Sequence, residues 1–168
     1  MIDTPRLYLR PPVLGDFSAI HGLTAGEEMR RFLSGQSTIE DDYRRLLAIL
    51  GGWAVCGFGT LAFIERETGE LVGTGGLFHM LRGLGDGFDG HPEAGWIVAG
   101  SRWGRGYATE AMIAAHAWFN STHGPRRTVC MIVPGNSASE RIAAKLGYQP
   151  FRDATHRGDP VRLYERLP

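Results

Sequence analysis

The sequence predicts a mixed α/β domain with six or seven strands and four main helices. Short segments of alternating apolar and polar residues, bounded by Gly and Pro, are typical of strands. Longer segments with apolar residues three and four positions apart are typical of amphipathic helices. Between Gly95 and Asn120 a strand pattern leads through a glycine-rich turn directly into a helix pattern, and we expect the domain to be organised around this unit.

Composition limits the possible classes of protein. The 168 residues, 43% of them apolar, suit a single domain over 1–168 with one core. Eighteen basic residues balance eighteen acidic ones, which gives no electrostatic reason to expect nucleic acid or a membrane as partner. Cys56 and Cys130 lie in apolar contexts without metal-ligand spacing, which favours reduced thiols and no metal. No apolar run approaches the ~20 residues of a spanning helix, and charges in the first ten positions interrupt any signal-peptide core. We therefore expect a cytoplasmic protein.

The chain begins with a predicted strand and helix. Leu7 to Arg10 alternates and is stopped by two prolines, as expected of a strand. Asp16 is then expected to cap a helix that runs through about Thr24.

A second helix is predicted over 40–50, opened by Ser37 or Thr38. Its expected core stripe consists of Tyr43, Leu46, Leu47 and Leu50. The segment 26–36 joins the two helices. It either overhangs a substrate site or is an exposed connection, and its residues do not choose between these readings.

A hairpin and a glycine-rich loop are predicted next. Segments 60–64 and 71–78 read as paired strands, with Gly69 supplying the left-handed position of the turn. Segment 79–92 contains four glycines and is expected to be a mobile loop, with a lid role as an alternative to a plain connection.

The central unit has the properties of an anion site. Glu93 to Ala99 is the predicted strand, and the helix is expected to begin at Gly106 or Tyr107. The glycines in the turn allow positive φ and leave no Cβ between the backbone and a ligand. The first N–H groups of the helix point outward, with the positive end of the helix dipole behind them. A phosphate or pyrophosphate is therefore the expected ligand.

The rest of the chain predicts a strand, a helix and a closing hairpin. The strand covers 127–133, and Asn136 or Ser137 is expected to cap a helix that ends at Lys145 before Gly147. Segments 148–152 and 161–167 are expected to pair as the last hairpin.

Two common phosphate-binding motifs are excluded. A Walker loop requires Gly-Lys-Ser/Thr after a glycine spaced by four residues, and the chain contains no such string. The dinucleotide fingerprint requires a third glycine where Thr109 stands, and an acidic residue where Arg126 and Arg127 stand.

A third type of cradle binds coenzyme A, and here the sequence resembles a known family. The segment 103–111, Trp-Gly-Arg-Gly-Tyr-Ala-Thr-Glu-Ala, resembles the acyl-CoA signature of the GNAT acetyltransferase superfamily, in particular its RimJ/RimL-like branch of ribosomal-protein N-terminal acetyltransferases. Three further segments match in the family's order: 4–11, 68–73 and 136–148. The resemblance thus covers nearly the whole chain. It implies a strongly twisted, mostly antiparallel sheet that splays between strands 93–99 and 127–133 to admit an acyl arm.

The resemblance implies which residues bind acetyl-CoA as co-substrate. Main-chain N–H groups from about Gly104 to Thr109 would contact the pyrophosphate, and the strand 96–98 would pair with the pantetheine arm. Asn136 would contact that arm, and its alternative role is a helix N-cap. The full set is Trp96, Ile97, Val98, Trp103, Gly104, Arg105, Gly106, Tyr107, Ala108, Thr109 and Asn136. Arg105, ahead of Arg102, Arg141 and Lys145, is the first choice for the 3′-phosphate.

The implied reaction is direct attack of an amine on the acetyl thioester. Glu93 stands where many members of the superfamily carry a carboxylate that acts as base, and His79 and His91 are alternatives. The tyrosine that many members use as acid is replaced by Ala143, so Ser139 is the substitute, with a plain first-turn serine as its other reading. Tyr148 is expected to be a core residue.

The acceptor implied by the resemblance is a primary amine, first of all a protein or peptide N-terminal α-amine. A small-molecule amine such as an amino acid, polyamine or antibiotic is the alternative within the same fold. A non-catalytic acyl-CoA sensor is the alternative from another class, because Ala143 replaces the tyrosine. Self-association into a homodimer is left open.

Overall fold

The secondary structure is an eight-stranded sheet with helices packed on it. The computed structural model describes residues 1–24 and 38–168; the segment 26–36, with its two readings, lies outside them. The strands are β1 (Ile2–Asp3), β2 (Leu7–Arg10), β3 (Thr60–Glu65), β4 (Leu71–Phe78), β5 (Glu93–Val98), β6 (Thr128–Ile132), β7 (Gln149–His156) and β8 (Asp159–Arg166). The α-helices of the described ranges are α1 (Phe17–Thr24), α2 (Ile39–Cys56), α3 (Tyr107–His123) and α4 (Ser137–Lys145), with 3₁₀ turns at Leu14–Asp16 and Gly100–Arg102.

The sheet confirms the predicted mixed architecture and adds one strand. Its order is β1-β2-β3-β4-β5-β6-β8-β7, and neighbours are antiparallel except for the parallel pair β5 and β6. The prediction of six or seven strands is one short because of β1. This two-residue strand pairs Ile2 with Leu9 and Asp3 with Tyr8, and it is too short to show an alternating pattern.

Two hydrophobic clusters lie on opposite sides of the sheet. The larger cluster joins the strands to α3 and α4 and includes Leu9, Phe63, Ala111, Phe119 and Tyr148. The smaller cluster consists of Phe88, Val129, Val161 and Leu163. Because neighbouring residues of a strand face opposite sides, Val129 points away from the cluster that its neighbour Cys130 joins.

The loop 79–92 covers this second face. It lacks regular structure, as predicted, but Phe88 within it is 1% exposed. The Asp89 carboxylate accepts the main-chain N–H groups of Arg82 and Gly85, both at 2.7 Å. The predicted lid role stays a prediction. The Asp89 hydrogen bonds hold the loop together, and Phe88 packs it against Val129, Val161 and Leu163 of the sheet.

The first two helices depart from their predicted details. The Asp16 side chain does not cap α1, which begins at the next residue. Its carboxylate instead accepts hydrogen bonds from the Val13 N–H at 2.8 Å and from Arg10 at 2.7 Å. Thr38 caps α2, which continues through the glycines at 51 and 52 to Cys56. The expected stripe is wrong in part, because Leu46 is fully buried while Tyr43 and Leu47 are over 40% exposed.

The other predicted elements are confirmed with small shifts in their bounds. Gly69 has φ 73° in the hairpin turn, and Gly147 has φ 87° after α4. The closing hairpin is longer than predicted, since β7 and β8 have eight residues each. None of the helices in the described ranges combines the length and apolar character needed to cross a bilayer.

Candidate active site

The glycine-rich turn forms an open cradle in front of α3. Gly104 and Gly106 have φ 73° and 80°, and the residues 104–106 are exposed. The first bond of the helix runs from the Glu110 N–H to the Gly106 carbonyl at 3.0 Å. The N–H groups of the preceding helical residues, 107–109, therefore have no acceptor within the helix. This arrangement suits an oxyanion, because both the N–H groups and the helix dipole favour negative charge there.

Two side chains that are distant in sequence, one just before β2 and one at the end of β3, hold the cradle in place. Arg6 donates to the Arg105 carbonyl at 2.8 Å and forms an ion pair with Glu110 at 2.7 Å. The Tyr107 hydroxyl donates to Glu65 at 2.5 Å. That hydrogen bond lowers the pKa of Glu65 and raises the pKa of Tyr107. No local sequence pattern marks these positioning residues, because Arg6 and Glu65 lie 99 and 42 positions from their partners in the cradle.

The arginines proposed for the 3′-phosphate differ in their availability. Arg102 forms ion pairs with Glu65 at 2.9 Å and with Glu70 at 3.2 Å, so its charge is already neutralised. Arg105 is exposed and forms no ion pair within the described part of the chain. Arg105 is thus the better placed of the two for an incoming phosphate.

A cleft opens between β5 and β6. The two strands pair only at Glu93 and Val129, next to a bond from the Val129 N–H to the Pro92 carbonyl at 3.0 Å. Beyond this point β5 stays paired with β4 as far as Val98 but not with β6. The predicted splay of the sheet is therefore present.

The cleft edge of β5 presents main-chain groups in alternation. The Ala99 N–H donates to Val72 on β4, so the N–H and C=O groups of Val98 and Trp96 face the cleft. Those of Ile97 face β4, and a Cβ on Gly73 would lie 2.6 Å from the Ile97 oxygen. The Trp103 indole donates to the Val98 carbonyl at 2.7 Å. The N–H and C=O groups of Trp96 and the N–H group of Val98 are therefore the ones that can pair with a peptide-like arm in the cleft.

Glu93 lies where the cleft closes, and it is 4% exposed. The Arg82 guanidinium donates to both of its carboxylate oxygens at 2.8 Å. Burial raises the pKa of Glu93, and the hydrogen bonds from Arg82 offset only part of that rise. Like Arg6 and Glu65, Arg82 has no local sequence signal, because it lies in an irregular loop without a motif.

The two alternative bases do not contact Glu93 in the described structure. His91 Nε2 lies 3.0 Å from Arg127 Nη1, and since arginine can only donate, this nitrogen accepts and the ring is neutral. Burial and the charge of Arg127 lower the pKa of His91. His79 is exposed and packs against Phe58, with ring centroids 5.2 Å apart.

Asn136 and Ser139 belong to the beginning of α4. Asn136 Oδ1 accepts the Ser139 N–H at 3.1 Å, which confirms the N-cap role of Asn136. Ser139 is partly buried in the first turn. It follows the end of β6 at Ile132 along the chain, whereas Glu93 lies beside Val129 near the start of that strand.

Tyr148 and Ala143 have the structural roles that the sequence indicated. Tyr148 is 2% exposed, its hydroxyl lies 2.7 Å from Thr128 Oγ1, and its core role is confirmed. Ala143 is fully buried in the main cluster, so no hydroxyl comes from that position. Within residues 1–24 and 38–168, no three His, Cys, Asp or Glu side chains are grouped as metal ligands would be.

The cradle and the cleft together fit an elongated molecule with a peptide-like arm and a pyrophosphate. The arm can pair with the free edge of β5, and the phosphates can meet the N–H groups at 107–109. A side chain at Gly104 or Gly106 would be strained, because both backbones are left-handed. The residues present thus fit coenzyme A.

Comparisons with known proteins agree with this geometry. Residues 6–149 match the family described as Acetyltransferase (GNAT) domain. A solved structure of a GNAT-family acetyltransferase from Bordetella pertussis is 33% identical, with a TM-score of 0.88 over 99% of this chain and 98% of that one. YkkB from Bacillus subtilis (strain 168), described as uncharacterized, is 29% identical over 114 residues, which are 66% of this chain and 63% of that protein.

A ribosomal-protein acetyltransferase of known structure shares the fold of this chain, at a low sequence identity. The RimL ribosomal L7/L12 α-N-protein acetyltransferase has a TM-score of 0.78 over 100% of this chain and 96% of that one, at 16% identity. By its sequence profile and its fold, this chain belongs to the GNAT acetyltransferase family.

Proposed function

We propose that this chain is one acetyltransferase domain over 1–168 that transfers the acetyl group of acetyl-CoA to a primary amine, first of all the α-amine of a protein or peptide N-terminus. The observation that carries the proposal is the splay between β5 and β6, which leads from Glu93 to the cradle in front of α3. The donor would be held by the main-chain groups of Trp96 and Val98, by the N–H groups at 104–109 and by Asn136. Trp103 and Tyr107 would position the turn.

Most of the rate is expected to come from holding donor and acceptor in register, an effect that reaches ~7–11 kcal/mol in well-oriented systems. Acetyl-CoA supplies the thioester and a thiolate leaving group of low basicity. Glu93 accepts a proton from the acceptor amine, directly or through water, and burial brings its pKa closer to working pH. Ser139 is the proposed donor toward the leaving sulfur.

The environment of Glu93 favours an α-amine over a lysine-like amine. Burial raises the pKa of Glu93 and Arg82 offsets part of that rise, but a carboxylate remains a weaker base than a lysine amine. An α-amine has a pKa of about 8 and is partly neutral near pH 7, whereas a lysine amine has a pKa of about 10.4. The α-amine therefore needs less help from a general base to lose its proton. The N-terminal acetyltransferase among the fold neighbours is consistent with this choice.

Donor binding is tested by calorimetry with acetyl-CoA on Arg105→Glu. The substitution places a negative charge beside the phosphates, and since a charge-assisted hydrogen bond contributes about 1.5–3 kcal/mol, affinity should fall roughly tenfold or more. The matched control is Arg44→Glu, an exposed arginine on α2, which should bind as the unmodified protein does. Absence of binding to the unmodified protein at millimolar acetyl-CoA would overturn the proposed donor.

The acceptor is tested by thiol release with a panel of N-terminal peptides and small amines. Turnover with peptides that is lost when their N-terminus is blocked supports the α-amine. Turnover with small amines alone would replace the acceptor and keep the reaction. If no compound of the panel gives thiol release while acetyl-CoA still binds, the result would favour the non-catalytic sensor.

A further inference from the structure

Arg82 has an unused hydrogen-bond donor beside the proposed base. Its Nε and Nη2 atoms each donate to a carboxylate oxygen of Glu93 at 2.8 Å. The third nitrogen, Nη1, bonds to no group of the described residues, and it is not among their buried atoms that lack a partner, so it is open to solvent. A guanidinium carries five N–H donors, and Glu93 takes only two of them. The opposite edge of Arg82 is therefore available to a second acceptor of hydrogen bonds next to Glu93.

The loop 79–92 holds Arg82 in this position. Phe88 is buried in the smaller hydrophobic cluster. The next residue, Asp89, accepts the main-chain N–H groups of Arg82 and Gly85 at 2.7 Å. Arg82 is thus fixed at its main chain by Asp89 and at its guanidinium by Glu93. Such a side chain is preorganised, as expected of a residue that orients a substrate.

The charges around Glu93 select the kind of group that Arg82 can bind. The positive charge of Arg82 is paired with Glu93, and the negative charge of Asp89 lies close enough to raise the pKa of Glu93. At the neighbouring turn between β7 and β8, Arg157 and Asp159 oppose each other. The three side chains at 82, 89 and 93 therefore carry an excess of one negative charge. This excess attracts a protonated amine and disfavours a second carboxylate, so a neutral oxygen suits the free edge of Arg82 best.

A peptide N-terminus combines a protonated amine with a neutral oxygen. Within one amino-acid residue the amine nitrogen and the carbonyl oxygen lie about 3 Å apart. The amine can therefore bond to Glu93 while the carbonyl oxygen accepts from Arg82 Nη1. A polyamine has no such carbonyl, and a free amino acid has a carboxylate in its place.

We propose that Arg82 is a specificity-determining residue, which donates from Nη1 to the carbonyl oxygen next to the acceptor amine and so selects peptide N-termini and other α-aminoacyl amides. This inference rests on the proposed acetyl transfer with Glu93 as base. It adds the group beyond the amine that the enzyme recognises. Arg82 holds the base and also places the amine against it.

The probes are three amines of similar size: alaninamide, alanine and isopropylamine. They carry a neutral carboxamide, a carboxylate and a methyl group, respectively, on the carbon next to the amine. Thiol release from acetyl-CoA gives kcat/KM for each, expressed per neutral amine. The unmodified enzyme should favour alaninamide over each of the other two about tenfold or more, as expected for a hydrogen bond to a charged group. No preference for alaninamide over isopropylamine, or the highest value for alanine, would overturn the inference.

Two variants test whether Arg82 is the source of the preference. Arg82→Gln should lower the ratio of alaninamide to isopropylamine about tenfold, since its effect on Glu93 is common to both amines and cancels in the ratio. Arg82→Lys keeps the charge but loses the rigid fork that joins Glu93 to a second group, so the ratio should fall there too. The control is Arg152→Gln, which removes another arginine that donates to the loop, at the Leu84 carbonyl, and should leave the ratio unchanged.

The possible results separate this inference from the proposed function. If Arg82→Gln or Arg82→Lys retains the ratio of the unmodified enzyme, Arg82 does not recognise the carbonyl, although the acetyl transfer stands. If Arg152→Gln lowers the ratio as much as Arg82→Gln, the loop as a whole is responsible and the role of Arg82 is refuted. If the unmodified enzyme releases no thiol with any acceptor, the proposed function fails together with the inference.

Discussion

At the scale of single residues, burial decides in which direction the pKa of a carboxylate moves when an arginine is bonded to it. Glu93 and Asp16 are both carboxylates bonded to an arginine, yet their pKa values move in opposite directions. Burial is the largest influence on Glu93 and raises its pKa. The hydrogen bond from Arg10 is the largest influence on Asp16 and lowers its pKa.

Glu93→Gln should lower kcat by about 10²–10⁴-fold, the usual contribution of a general base, and leave acetyl-CoA affinity unchanged. A base acts when deprotonated, so kcat/KM of the unmodified enzyme should rise with pH through the pKa of Glu93. Because burial raises that pKa above the ordinary 4.5, the rise should lie at higher pH than for an exposed glutamate, and it should be absent in the variant.

The control is Glu40→Gln, which removes another carboxylate bonded to an arginine, Arg44, on the exposed surface of α2. A pH profile that is the same in Glu93→Gln and in the unmodified enzyme would remove Glu93 as base.

Asp16→Asn should lower the free energy of unfolding at neutral pH by about 1.5–3 kcal/mol, as expected for a hydrogen bond to a charged group. The folded-state pKa of Asp16 lies below the ordinary 3.8. Its contribution is therefore complete above the unfolded-state pKa and is lost as the pH falls through the folded-state value. Urea unfolding at a series of pH values should show the two proteins converging in acid.

Asp153→Asn breaks a similar but exposed pair with Arg162 and should cost less stability. If the cost of Asp16→Asn were the same at every pH, the ion pair with Arg10 would not be its source.

At the scale of elements, β5 performs two tasks, since one edge pairs with β4 and the other is free for the donor. The close approach of β4 depends on glycine. A Cβ on Gly75 would lie 2.7 Å from both the Gly95 oxygen and the Phe63 ring, closer than real contacts allow.

Gly75→Ala should therefore destabilise the protein by about 1–3 kcal/mol and weaken acetyl-CoA binding, because β5 must shift. Gly51→Ala is the matched control. It lies inside α2 with no atom within 4 Å of the added Cβ, so it should stabilise by about 0.5–1 kcal/mol. Chemical denaturation and calorimetry measure both effects; unchanged stability in Gly75→Ala would show that β4 and β5 pack less closely.

At the scale of the whole molecule, the proposed donor would connect β5, the start of α3 and the cap of α4. A ligand that binds only the folded state stabilises it by about 2.7 kcal/mol at one hundred times its dissociation constant. Acetyl-CoA should thus raise the unfolding midpoint in a concentration-dependent way. Pantetheine, which lacks the pyrophosphate, should raise it less at equal concentration, and an equal effect would place the binding energy outside the cradle.

Much of the fold and part of the site could be predicted from local patterns. The strand, glycine turn and helix of 93–123 lie within one continuous stretch, so periodicity and the glycine positions determined them directly. The N-cap Asn136 and the turn Gly69 were predictable for the same reason. The errors arose where local signals are weak. The strand β1 has only two residues. Gly51 and Gly52 do not end α2, because the preceding helix continues through them and no neighbouring atom lies within 4 Å of where their Cβ atoms would be.

The sequence by itself determined the family, the anion cradle and the position of Glu93. Only the tertiary structure decided that Arg82 holds Glu93, that Arg6 and Glu65 fix the cradle, and that Trp96 and Val98, not Ile97, face the cleft. The physical reason is that hydrogen bonds and ion pairs between residues distant in sequence leave no periodic pattern, since they depend on which strands and helices the fold places side by side.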